Sequence, residues 1–154
     1  MRFLPVGLDV QERKCLVVGG GAVGSRKVLN LLDAGAAVTL VSPDATEELV
    51  RRADRGEFEW LPEGYRDSHL DGVLLAVAAT DDPALNEKVV ENAKVRGILV
   101  CDASSRERTQ VIFGALTRAE GVTVAVFTDG RDPAQARHTR DRVAAFLAED
   151  GRGA

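Results

Sequence analysis

Cysteine is scarce in this chain. Its 154 residues hold two, Cys15 and Cys101, with no C-x-x-C spacing, and only two histidines, His69 and His138, accompany them. That set is too poor in ligands for a zinc site, so no metal is expected. Both cysteines fall inside apolar runs and read as small buried core residues. Long apolar runs are missing too. None reaches the roughly 18 residues needed to cross a membrane, so no membrane partner is expected. The N-terminus, MRFLPVGLDV, lacks the apolar core of a signal peptide, and a cytoplasmic, reducing location is the default expectation. Positive charge is not in excess. Twenty Lys and Arg stand against 24 Asp and Glu, a net charge of −4, which gives no support for nucleic-acid binding. There is no internal repeat and no low-complexity tract.

What is present suits a soluble globular protein. Hydrophobic residues make up 45% and charged residues 29%, enough to bury a core without disulfides or metal. The length fits one domain, or one domain with a small appendage.

The most informative stretch is KCLVVGGGAVGSRK, Lys14 to Lys27. Cys15-Leu16-Val17-Val18 reads as a fully buried strand. It runs into Gly19, Gly21 and Gly24, a G-x-G-x-x-G spacing, and Ala22 and Val23 open a helix with Val28, Leu31 and Leu32 near one face. Strand, glycine turn and helix in that order start a dinucleotide-binding βαβ unit. Gly19 permits the tight turn, Gly21 keeps side-chain atoms away from a pyrophosphate, and Gly24 lets the helix pack close to the strand. The helix N-terminus then faces the phosphates. The rival reading is a glycine-rich turn without ligand. Arg26 and Lys27, in the first turn, either touch phosphates or are solvated.

Further along, apolar runs and breakers alternate. Ala36 to Val41 is a second strand, broken by Ser42-Pro43-Asp44, and Glu47 to Arg55 a helix. Phe58 to Leu61 is a short strand, Pro62 to Asp71 a loop or short helical turn, and Val73 to Ala78 a buried strand. Asp82-Pro83 starts the next helix, and Ile98 to Cys101 is another strand. This alternation predicts an α/β fold with a doubly wound parallel sheet. After Asp102 the pattern changes. Val111 to Leu116 and Val122 to Phe127 are separated by five residues, too few for a crossover, so they form an antiparallel hairpin. Pro133 to Ala148 is a final amphipathic helix. Phe3 to Leu8 suits a sheet edge, where Pro5 is tolerated. The expected division is 1–110 as the NAD-binding Rossmann domain and 111–154 as a hairpin and helix. A two-stranded hairpin is marginal alone, which points to dimerisation through a second copy.

Candidate site residues follow from the strand ends. An NAD site ordinarily has an acid about 20 residues past the glycines; here Ser42 stands there, able to bond a ribose, with Asp44 two residues later. Thr80 closes a buried strand where a cofactor would lie, or serves as a helix cap. Asp102, Ser104 and Ser105 follow the next strand and either reach a substrate or form an ordinary polar turn. Arg137, His138 and Arg140 in the last helix form either a solvated basic face or an anion-binding surface.

Several features together resemble one family: Leu4, Pro5, Leu8 and Asp9 (LP-x-x-LD); Val17 to Lys27 (VVGGG-x-V-x-x-RK); Ala78 to Asp82 (AATDD); and the hairpin followed by DG-x-x-P and an Arg-rich helix, Asp129 to Arg142. Over nearly the whole chain this is similar to the precorrin-2 dehydrogenase/sirohydrochlorin ferrochelatase family, the siroheme-synthase dehydrogenase domain. The resemblance implies NAD-dependent oxidation of the tetrapyrrole precorrin-2 to sirohydrochlorin, iron insertion in some members, and a homodimer joined through the hairpin region. It places the cofactor at Gly19, Gly21, Ala22, Val23, Gly24, Ser42 and Thr80, the chemistry at Ser104 and Asp102, and the substrate's carboxylates at Arg137, His138 and Arg140.

Two departures stand out. Bifunctional members carry an Asp that, aligned without gaps back from Val111-Ile112-Phe113, falls on Ser104; Asp102 should face differently if the segment is extended. The family's Ser before Thr-Gly-Gly is Phe127 here. Dehydrogenation without efficient metal insertion is therefore expected. The alternatives are a bifunctional enzyme that also inserts iron or cobalt, and a nucleotide-sensing regulatory module with no chemistry.

Overall fold

The computed structural model describes residues 2–119 and 121–150. They form two compact units, one from Gly7 to Val111 and the other built from 2–6 and 112–150. Among the described residues, no helix is long and apolar enough to cross a membrane.

The first unit alternates strands and helices: β1 (Lys14–Gly20), α1 (Ala22–Asp33), β2 (Ala37–Ala45), α2 (Glu47–Asp54), β3 (Glu59–Leu61), β4 (Leu75–Ala78), α3 (Pro83–Val95) and β5 (Leu99–Asp102). A 3₁₀ turn, Asp67–Leu70, precedes β4. The sheet order is β3-β2-β1-β4-β5, and every pair is parallel. β1 lies in the middle because Cys15, Leu16, Val17 and Val18 are buried on both faces. Alternation sends Leu16 and Val18 into one layer with Ala76, Ala78, Val89, Val90 and Ala93, while Val17 lies beside Gly24 of α1. α3 starts where Asp82 caps it: Oδ1 accepts from the N–H groups of Ala84 at 2.9 Å and Leu85 at 3.2 Å, with Pro83 in the first turn.

β2 does not stop at Ser42. It continues to Ala45 through a shift in register, Val18 facing Val41 and Gly20 facing Ala45. The polar residues that read as a breaker supply ladder partners instead. Ser42 Oγ accepts the Gly20 N–H at 2.9 Å, and the Gly20 carbonyl accepts the Thr46 N–H at 3.0 Å.

The second unit is an antiparallel pair, β6 (Ala115–Ala119) and β7 (Val122–Val126), followed by α4 (Pro133–Asp150). The hairpin is placed later than the sequence suggests. The Val111 N–H donates to the Val100 carbonyl at 3.0 Å, which holds that residue to β5, so the first strand starts at Ala115 and uses β-branched Thr117 opposite Val124. Phe3 to Leu8 forms no strand. Instead the Asp129 carboxylate accepts the N–H groups of Arg2 at 2.9 Å and Phe3 at 3.1 Å, which ties residues 2–6 into this unit. A frayed end is expected over 149–154, but α4 continues to Asp150, and residues 151–154 lie outside the described residues.

Candidate functional site

In a parallel sheet, ligands bind outside the carboxyl ends of the strands where the strand order reverses. Here that point lies between β1 and β4, at Gly19 to Gly24 and Ala79-Thr80. The three glycines answer to different constraints. Gly19 has φ +110°, and a Cβ on it would stand 2.5 Å from the Ala79 carbonyl oxygen. A Cβ on Gly24 would stand 1.9 Å from the Gly19 carbonyl oxygen. These two bring backbone against backbone. Gly21 is different: apart from its own chain neighbours, nothing lies within 4 Å of the Cβ position. It is the N-cap of α1, with no side-chain cap bond. Ala22 and Val23 are exposed in the first turn. Open space at the positive end of a twelve-residue helix fits a dinucleotide pyrophosphate.

Ser42 is buried and shapes this turn through the Gly20 N–H. Asp44, by contrast, is exposed where β2 ends. Lys27 is not solvated: it is buried on the inner face of α1. Burial lowers the affinity of its ammonium for protons, while burial raises the pKa of the neighbouring Cys101 thiol. Arg26 is exposed.

The ends of β4 and β5 are joined through one residue that no sequence motif marks, Asn86 of α3. Its side chain is fully buried. Asn86 Oδ1 accepts the Thr80 N–H at 3.0 Å and the Thr80 hydroxyl at 2.7 Å. Its Nδ2 donates to the Thr80 carbonyl at 3.0 Å and to Ser104 Oγ at 3.2 Å. A signal was available: Asn86 shares the helical face of Val89, Val90 and Ala93, and a polar side chain on an apolar stripe needs partners.

Asp102 and Ser104 do not face apart. The chain turns after β5, and Asp102 Oδ1 accepts from the Ser104 hydroxyl at 2.7 Å and from the N–H groups of Ser104 and Ser105 at 2.8 and 3.1 Å. Oδ2 accepts Arg108 Nε at 2.8 Å. Arg108 and Thr109, which no sequence motif marks, complete this turn, the Thr109 hydroxyl accepting the Asp102 N–H at 3.0 Å. Burial works to raise the Asp102 pKa, but the hydrogen bonds from Ser104 and Arg108 outweigh it and hold the carboxyl below its ordinary value. Asp102 is thus an ionised acceptor with four donors around it. Ser104 itself is exposed.

Arg137, His138 and Arg140 lie in the second unit. Arg137 and His138 are exposed. Arg140 is committed elsewhere, with Nη1 donating to the Leu116 carbonyl at 3.2 Å and Nε to Asp141 at 2.6 Å. Among the described residues, no group of three or more His, Cys, Asp or Glu gathers to hold a metal.

Residues 6–115 match a protein-family model described as NAD(P)-binding. A siroheme synthase of Chromobacterium violaceum is 42% identical over 147 residues, covering 96% of this chain and 31% of that protein. A siroheme synthase of Azotobacter vinelandii is 38% identical over 147 residues, with 96% and 32% covered. This chain therefore spans about a third of the length of these curated relatives. Among solved structures, SirC, a precorrin-2 dehydrogenase, superposes with a TM-score of 0.79 at 28% identity, covering 94% of this chain and 71% of that one.

Proposed function

The chain belongs to the NAD(P)-binding family, as a relative of siroheme synthases and of a precorrin-2 dehydrogenase, and from that premise we propose that it oxidises precorrin-2 to sirohydrochlorin with NAD. The observation that carries the reading is the open space over Gly21 at the end of β1, beside strand ends that one buried amide holds together. Bound NAD supplies a hydride acceptor. The substrate loses a hydride and a proton, and the chain's task is to orient it and to exclude wrong geometries.

In this reading the Gly21, Ala22 and Val23 backbone receives the pyrophosphate. Gly19 and Gly24 close the turn beneath it, and Ser42 holds the turn in place. Thr80 faces the ribose or nicotinamide side, and Ser104 meets the tetrapyrrole. Asp102 serves as the anchor of Ser104. The multiply carboxylated substrate calls for cations, and Arg137 and His138 are assigned to it, with Arg140 in a lesser part. The working form is a homodimer in the cytoplasm, joined through the second unit.

Metal insertion is expected to be slow. It requires pyrrole protons to leave, and a nearby carboxylate takes them. Position 104 is a serine, and Asp102 already accepts four hydrogen bonds. The Ser104→Asp variant should insert iron or cobalt faster than the wild type by about 100-fold, the lower range for an added general base.

The test of the main reading is anaerobic incubation with precorrin-2 and NAD, following sirohydrochlorin by absorbance. NAD-dependent formation of sirohydrochlorin supports it. Tight NAD binding with no turnover makes the chain a nucleotide-sensing module instead.

A further inference from the structure

The four contacts of Asn86 leave no freedom in how its amide is oriented. A backbone N–H only donates and a backbone carbonyl only accepts. The Thr80 N–H reaches Oδ1 at 3.0 Å, and the Thr80 carbonyl receives Nδ2–H at 3.0 Å. A flipped amide would set donor against donor and acceptor against acceptor. The assignment then propagates along the chain of contacts. The second Nδ2 proton points to Ser104 Oγ at 3.2 Å, so Ser104 accepts there. Ser104's own proton goes to Asp102 Oδ1 at 2.7 Å, because an ionised carboxylate only accepts. A hydroxyl has one proton and two lone pairs. The exposed Ser104 hydroxyl is left with one capacity, a single acceptor lone pair.

We propose that Asn86 is a positioning residue that, with Asp102 holding the hydroxyl proton, locks Ser104 as a one-way hydrogen-bond acceptor, suited to a ring N–H of the tetrapyrrole and closed to its carboxylates. This rests on the functional reading above and deepens it. An unlocked serine would donate to any of the substrate's carboxylates as readily as it would accept a pyrrole N–H. With its proton held by Asp102 it rejects the first and keeps the second, which selects one way of seating the macrocycle.

Two measurements on the full chain test this. The first is NMR of the Asn86 side-chain amide. Ser104→Ala should move one Nδ2 proton resonance and leave the other, which stays on the Thr80 carbonyl. If neither moves, the lock is overturned. The second is the affinity for sirohydrochlorin at saturating NAD, by fluorescence titration. Ser104→Ala and Asn86→Asp, which keeps the shape of the side chain but removes both amide donors, should each weaken binding about fivefold. The double variant should be no weaker than the weaker single one. Multiplying losses would show that Asn86 acts on the fold and not through Ser104, and would overturn the proposal. If Asn86→Asp does not fold, Ser104→Ala decides through the first measurement and its own affinity loss. A wild type that binds no sirohydrochlorin removes the functional reading, while the amide resonances still decide the lock.

Discussion

The two units keep water out to very different degrees. From Gly7 to Val111, Leu16, Val17, Leu40, Leu49, Val77, Val89 and Val100 are fully buried. In the unit of 2–6 and 112–150, Ala136, at 6% exposure, is the one described residue that counts as buried, while Leu4 is 72% and Phe146 61% exposed. The difference follows from layer count. Five strands with helices enclose side chains on both faces of a sheet. One hairpin and one helix cannot enclose a core of their own. The first unit therefore holds the enclosed core and the glycine turn, and in the proposed reading the second offers its exposed apolar residues to a second copy.

The sharpest way to break the first unit is at Gly24. A valine there must place its Cβ where the Gly19 carbonyl oxygen sits, 1.9 Å away. Gly24→Val should cost about 3 kcal/mol or more, seen as loss of the cooperative unfolding transition in urea.

Next in size is Asp102. Asp102→Ala strips one acceptor from Ser104, Ser105 and Arg108 and should cost about 2 kcal/mol. Its contribution also has a predictable pH dependence. The folded pKa lies below the unfolded value, so the unfolded state takes up the proton more readily, and the contribution is present above the ordinary value of 3.8 and fades as pH falls below it. The gap in urea midpoint between wild type and Asp102→Asn should narrow below about pH 4.

A smaller effect, confined to the second unit, is expected from charge on its exposed apolar residues. Val122→Glu or Phe146→Glu should weaken the proposed homodimer at least about tenfold, near 1.4 kcal/mol, by sedimentation equilibrium, with the circular dichroism of the parallel-sheet unit unchanged. A wild type that is monomeric at micromolar concentration contradicts this account of the second unit.

Legibility in the sequence divides along the same line. Buried parallel strands announce themselves as short apolar runs: Cys15-Leu16-Val17-Val18 is legible inside β1, and the run Val73 to Ala78 contains β4, Leu75–Ala78. The glycine spacing, Pro83 and Asp82 marked the helix starts. What the sequence hid was polar and non-local. Ser42 ends an apolar run, yet the strand continues because its hydroxyl oxygen accepts the Gly20 N–H. Asp102 and Ser104, two apart, meet because the chain turns on Asp102's own hydrogen bonds. Residues 2–6 join the hairpin unit through Asp129, more than 120 positions away, and no local pattern encodes that. In the hairpin, Thr117 and Arg118 read as turn, but cross-strand partners Val124 and Thr123 draw them into β6.

The smallest effect on stability is expected at Gly21, and there the central claim is most exposed. Apart from its chain neighbours, nothing stands within 4 Å of its Cβ position, and its extended backbone, φ −75° and ψ −174°, suits a β-branched residue. The decisive measurement is NAD affinity by calorimetry for wild type and Gly21→Val, with circular dichroism of both. The account predicts that wild type binds, that the valine abolishes binding, and that the two spectra and melting curves coincide. Unchanged affinity in the valine variant would contradict it, because the space over Gly21 would then not be where the cofactor lies.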